Sequence, residues 1–216
     1  MISALLLAAL LQAPVSPAPV RVIAFDRPEL AARGPELTVE SSSFARGGAI
    51  PLQHSGYGRN LSPELHWSKG PAGTKSYVVI VEDPDAGEVR PLLHWLAYDV
   101  GEIVTTLPPK IRNRTRVEEP VMFSQGMNDH GGVGWTGPHP PVGGPAHHYH
   151  FQVFALDRRS VAAPGVSIEQ ALSGMRGHVL AKGQVMALYA QAADKPRKLK
   201  KGEAADAASP PEPPAS

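Results

Sequence analysis

No cysteine occurs in the 216 residues. That absence excludes disulfides, thiol catalysis and thiolate-held zinc, and it leaves the compartment open. Charge is also sparse, at 19% of residues, and almost balanced at a formal +1. No Arg-rich helix or basic stripe stands out on this reading, so nucleic acid is not an expected partner. A helix-borne H-E-x-x-H is missing, and so is the G-x-S-x-G elbow of a serine hydrolase. There is no internal repeat and no heptad pattern. What the chain does have is 42% apolar residues with 21 glycines and 23 prolines. Apolar content on that scale supplies a core, and the Gly and Pro content favours a loop-rich, β-containing globule over a helical bundle.

The two ends differ from the middle. The apolar run from Ile2 to Leu11 is too short to span a bilayer, so no transmembrane helix is expected. It passes into Ala, Pro and Ser, as the apolar stretch of a secretory signal does, although no Lys or Arg precedes it. Residues 1–20 are therefore set apart as a candidate signal peptide and linker. Removal of that segment would imply a periplasmic or secreted protein, and its retention a cytoplasmic one. Residues 193–216 form the tail, in which the stretch from 195 begins basic and ends in Ala, Ser, Pro and Glu. They lack the apolar side chains that offset chain ordering, and they read as a disordered tail. The folded domain is expected over 21–192.

Inside it, short apolar runs alternate with turn signals. "SYVVIVEDPDAG" (76–87), "LLHWLAYDV" (92–100) and "HYHFQVFALD" (148–157) read as buried strands, with "GQVMALYAQ" (183–191) as a fourth and "LTVESSSF" (37–44) as a short alternating one. Ser167 is placed to cap a helix over 168–180, which Gly174 and Gly177 can divide in two. Helices do not alternate with strands, so antiparallel pairing is expected. The fold class is mainly β with short C-terminal helices.

Polar residues gather at the strand ends. In "DPD", Pro84 holds Asp83 out of helical space, so Asp83 and Asp85 sit in a fixed turn. His94 precedes Trp95 within an apolar strand. In "PHPPVGGPAHHYHF" (138–151), alternation places His147 and Tyr149 on one face of an extended chain and His148 and His150 on the other. A pocket collecting Asp83, His94, His147 and Tyr149 admits several chemistries. Asp83, His94 and His147 can supply three ligands of a hydrolytic metal site. Imidazoles, a phenol and backbone N–H groups freed by Gly and Pro turns can instead receive an anion. In that second reading His94 and His147 donate to the anion, Tyr149 assists, and Asp83 orients a histidine.

"NLSPELHWSKGPAGTKSYVVIVEDPDAG", "HWLAYDV" and "GWTGPHPPVGGPAHHYHFQVFALD" together resemble the phosphatidylethanolamine-binding proteins, or Raf kinase inhibitor protein family, in its bacterial form. The resemblance spans 36–190. It implies a large antiparallel sheet packed with a smaller one, and helices toward the C-terminus. It further implies a non-enzymatic, in part regulatory, protein whose pocket takes phosphate-like anions or phospholipid head groups. Asp83 and Asp85 match the family's DPD, and His94 its pocket histidine. Gly137, Pro140 and Pro141 match its Gly and Pro-Pro loop, with His139 between them, and His147 and Tyr149 match its H-x-Y pair. No cofactor is implied, and a kinase or protease partner follows from the resemblance alone. A metal-assisted hydrolase using His94, His147 and Asp83 is the alternative, together with a protease inhibitor acting through an exposed loop. Three departures stand out. His139 occupies a position often held by Cys, His148 one often held by Arg, and Gly87 one often held by Pro.

Overall fold

The computed structural model describes residues 21–159 and 163–193. The candidate leader (1–20) and the candidate tail from 194 onward lie outside the described residues. Among the described residues, nine strands form two antiparallel sheets. Val39–Glu40 (β1), Leu65–Trp67 (β2) and Thr106–Leu107 (β5) make a small sheet in the order β1-β2-β5. Ser76–Asp83 (β3), Leu92–Gly101 (β4), Arg116–Val117 (β6), Phe123–Gln125 (β7), His147–Leu156 (β8) and Val179–Tyr189 (β9) make the large one, in the order β6-β7-β4-β3-β8-β9. The mainly β, antiparallel class read from the sequence is the one observed, with a single α-helix, Ile168–Met175 (α1), among the described residues.

β3 lies in the middle of the large sheet, and all eight of its residues are buried. Its continuous apolar run follows from cover on both faces. Tyr77, Val79 and Val81 join Val39, Leu65, Trp67 and Leu107 between the sheets. Val78 and Ile80 pack on the opposite side with Ile168, Leu172 and Met175 of α1 and with Ala24 and Leu30 of the N-terminal segment. Glu82 continues that second face as a buried carboxylate. It accepts from the Ala24 amide (2.7 Å) and the Gln152 side chain (2.9 Å), and burial pushes its carboxyl above the usual range. At the start of β8, Phe151 lies 4.7 Å from Phe44 and 6.0 Å from Trp135, ring centre to ring centre. Aromatic pairs of this kind contribute about 0.5–1.5 kcal/mol beyond their buried area. They fix the strand end that carries Tyr149 and His147.

Two expected elements are shorter than read. The 37–44 strand pairs only at Val39 and Glu40. Beyond it, Ser42 spends its amide and hydroxyl on the Glu64 carboxylate (2.6 and 2.8 Å), and the Ser43 hydroxyl receives the Glu64 amide (3.0 Å). Serine side chains compete with the ladder in this way. The 168–180 helix stops at Met175. Ser167 accepts from the Gln170 amide and the Gln170 side chain returns the bond, which closes a capping box as the Ser167 reading anticipates. Gly177 then takes φ +73, which turns the chain into β9 four residues earlier than expected.

Candidate functional site

One irregularity of the large sheet decides where the candidate residues meet. Val81 pairs with Trp95 but Glu82 pairs with Leu93, so His94 is the extra residue of a bulge in β4. Strict alternation would place its ring with Leu96 and Tyr98, on the helix side. The bulge turns it instead toward the ends of β3 and β8. Thr136 holds the bulge in place. Its amide donates to the His94 carbonyl (2.9 Å), and its own carbonyl lies 2.8 Å from His94 Nδ1.

A carbonyl only accepts, so Nδ1 carries the proton and Nε2 of the neutral ring is bare. That Nε2 is buried and has no hydrogen-bond partner among the described residues. Burial pushes the His94 pKa down to about 4, which keeps the ring neutral at physiological pH. The expectation that His94 donates to an anion is thereby corrected. Around neutrality it accepts.

Asp83 ends β3 with its carboxylate 1% exposed. One oxygen accepts from the amides of Asp85 (2.8 Å) and Ala86 (3.2 Å), which closes the DPD turn. The other lies 2.8 Å from His147 Nδ1 and leaves Nε2 as the uncommitted nitrogen of that ring. Asp83 therefore orients His147, as the sequence reading proposed for one of the histidines. Tyr149 is buried beside them, its ring 5.1 Å from and nearly perpendicular to that of His94. Burial, and then the Asp83 charge, push its phenol up, so its O–H stays protonated.

Asp83, His94, Pro140, Pro141, His147, Tyr149 and His139 line one cavity of about 90 Å³, which also touches Ala86, Leu92 and His130. That space holds a few water-sized bodies or a small oxyanion, and nothing as long as an acyl chain. His139 is exposed at the mouth, stacked at 4.1 Å on Tyr57, whose hydroxyl donates to the Pro140 carbonyl (2.6 Å). The ring at this position is thus a fixed part of the rim.

Two candidates stand apart from the cavity. Asp85 points to the exposed His148, whose amide and Nδ1 both lie 2.7 Å from one carboxylate oxygen. Partial burial opposes ionisation of Asp85, but those His148 bonds outweigh it and hold the carboxyl below its usual range. Gly137 is a packing requirement, since a Cβ there would stand 2.1 Å from the His54 carbonyl oxygen. Gly87 has φ +85, which proline's ring forbids, so the turn after DPDA needs the glycine found here.

His130 was not among the candidates. Its loop is built by Asn128, whose side chain accepts from the amides of His130 and Gly132 (both 3.1 Å) and donates to the Gly134 carbonyl (2.9 Å). Asp129 anchors it through two 2.7 Å bonds to Arg90. The signal in the sequence is a histidine inside a Gly- and Asn-rich turn, which carries no periodicity.

A family model described as phosphatidylethanolamine-binding protein matches residues 40–190. The chain is 38% identical over 159 residues to a UPF0098 protein of Aquifex aeolicus, covering 73% of this chain and 91% of that one. It is 38% identical over 128 residues to the UPF0098 protein YbcL of Escherichia coli, covering 57% and 70%. The crystal structure of E. coli YbcL, described as a new member of the mammalian PEBP family, superimposes with a TM-score of 0.66 at 32% identity. That match covers 72% of this chain and 99% of YbcL. A phosphatidylethanolamine-binding protein homologue from Chlamydia trachomatis gives 0.64 at 32% identity, covering 72% and 98%.

Proposed function

The chain belongs to the phosphatidylethanolamine-binding protein family, and on that premise we propose that it is a binding protein whose cavity takes a phosphate-like anion, free or as the head group of a phospholipid. The observation that carries this reading is the buried, unpartnered Nε2 of His94 opposite the Asp83-held His147. Buried polar atoms are rarely left without a partner; of the three such side-chain atoms among the described residues, Arg27 Nε, Trp67 Nε1 and His94 Nε2, the last belongs to a side chain that lines this cavity.

The ligand has to match both walls. His147 in its imidazolium form donates from Nε2, while the Asp83 carboxylate accepts from Nδ1–H and balances the charge. His94 needs a donor. A phosphate or phosphomonoester monoanion offers both an oxyanion and a P–OH, and an ethanolamine head group adds an ammonium. A cavity of this size receives the head group and leaves the chains of a lipid outside.

The hydrolase alternative gains nothing from the geometry. Asp83 commits both oxygens, and among the described residues no group of three His, Asp or Glu side chains is placed to hold a metal ion. The inhibitor alternative finds no supporting feature among the described residues.

Calorimetric titration of the full chain with inorganic phosphate and with O-phosphoethanolamine tests the reading. One-to-one binding that weakens at least about tenfold in His147→Ala is expected. Absence of heat with both ligands, or identical affinity in the variant, would refute it. Secretion, or export to the periplasm, is proposed on the leader-like N-terminus, and N-terminal sequencing of the mature protein decides it.

A further inference from the structure

A second hollow, about 770 Å³, shares no lining residue with the His94 cavity. Its wall is the segment 110–116, "KIRNRTR", and all four cations of that segment line it: Lys110, Arg112, Arg114 and Arg116. In the sequence these charges are interleaved with neutral residues and form no block. The structure lays them in a row.

The segment's inner side is held by the core. Ile111 and Val117 are buried at either end. Between them the Gln125 side-chain amide donates to the carbonyls of Arg112 and Arg114 (2.8 Å each), its backbone amide donates to Thr115, and the Asn113 side chain bonds both the carbonyl and the amide of Trp135. The backbone is thus fixed while the cations are exposed to solvent. The three arginines stand at every second position, Arg112, Arg114 and Arg116, and the last of them belongs to β6.

Glu118 and Glu119 border the same hollow. Even so, none of the four cations comes within ion-pair distance of a carboxylate among the described residues. Four positive charges facing two negative ones leave the hollow with a net attraction for anions. Among the described residues no aromatic side chain lines it, so it lacks the stacking platform that single-stranded nucleic acid uses. It is concave, which suits a chain better than a flat lipid surface. β6 (Arg116–Val117) is the last strand in the order of the six-stranded sheet, with no further strand paired to it among the described residues.

We propose that this groove docks an extended acidic segment of a partner protein, with carboxylates at alternate positions meeting Arg112, Arg114 and Arg116. Guanidinium forks match carboxylates in pairs, and the shared repeat of two residues keeps the chains in step.

The test is fluorescence anisotropy with a labelled synthetic peptide of alternating glutamate and serine, run on the full chain and on the double variant Arg112→Gln/Arg114→Gln. The expected result is salt-sensitive binding that falls at least about tenfold in the double variant, with phosphate binding in the His94 cavity unchanged. Equal peptide affinity in the two proteins would overturn the proposal. Stripe-dependent binding that is tighter to oligodeoxythymidylate, or to phosphatidylserine vesicles, than to the peptide would also overturn it. So would self-association of the double variant without loss of peptide affinity, since the cations would then serve only to protect a sheet edge.

Discussion

Replacing Asp83 by asparagine separates the orienting role of the carboxylate from its charge. The amide keeps one oxygen to accept from Asp85 and Ala86, so the DPD turn survives. It cannot stabilise an imidazolium at the 2.8 Å contact with His147. A charge-assisted hydrogen bond at a buried site contributes about 1.5–3 kcal/mol. In a chain of this size each kcal/mol corresponds to roughly 2–4 °C, so a fall in Tm of about 3–12 °C is expected.

The effect on an anion is the difference of two terms. An imidazolium about 4 Å from an anion attracts it by about 4 kcal/mol at an effective dielectric of 20. A carboxylate on the far side of the ring, roughly 7 Å away, repels it by about 2.4 kcal/mol in the same medium. Losing both leaves the variant weaker by about 1.5 kcal/mol, or roughly tenfold. Calorimetry of phosphate binding to the two proteins at about pH 6 reads the difference. Unchanged or tighter phosphate binding in the variant would refute the reasoning.

Two further outcomes bear on the scaffold. Gly137→Ala forces a Cβ against backbone atoms of His54 and Ser55. Overpacking of that kind costs about 1–3 kcal/mol, to be seen as a lower denaturation midpoint with loss of phosphate affinity, although Gly137 touches no ligand. Glu82 has a folded-state pKa raised by burial, so the native state holds its proton more tightly than the unfolded chain. Stability from this group is full below the unfolded carboxylate range and is lost as pH rises through the raised value. Glu82→Gln should remove that loss and stand level with or above wild type at neutral pH in urea unfolding. A variant less stable than wild type at every pH would show that the charge itself is needed.

The strands around the site were legible because their composition and their cover agree. β3 and β8 are β-branched and aromatic runs buried on both faces, and alternation correctly separated His147 and Tyr149 from His148 and His150. His148 turns to Asp85, and His150 to Gln184 at 2.9 Å. What escaped were features set by tertiary contacts. The His94 bulge depends on Thr136, 42 residues away, and nothing local marks it. The tautomer that makes His94 an acceptor follows from the same contact, which is why the two histidines appeared alike in the sequence. Asp85 and Gly137 were read as ligand residues on motif position, whereas one serves the rim and the other the packing of the loop. The basic row at 110–116 escaped for a different reason, since charge scanned in blocks misses a period of two.

The central claim is that His94 presents a buried acceptor that the ligand must satisfy. Phosphate near pH 6 carries a proton to give, and sulfate does not. An unsatisfied buried group costs about 1–3 kcal/mol, so competitive calorimetry at about pH 6 should show phosphate preferred over sulfate by roughly 5- to 150-fold. The preference should shrink as pH falls toward about 4, where His94 gains its own proton and becomes a donor. Equal affinity for the two anions at pH ~6, or tighter binding of sulfate, would contradict the account.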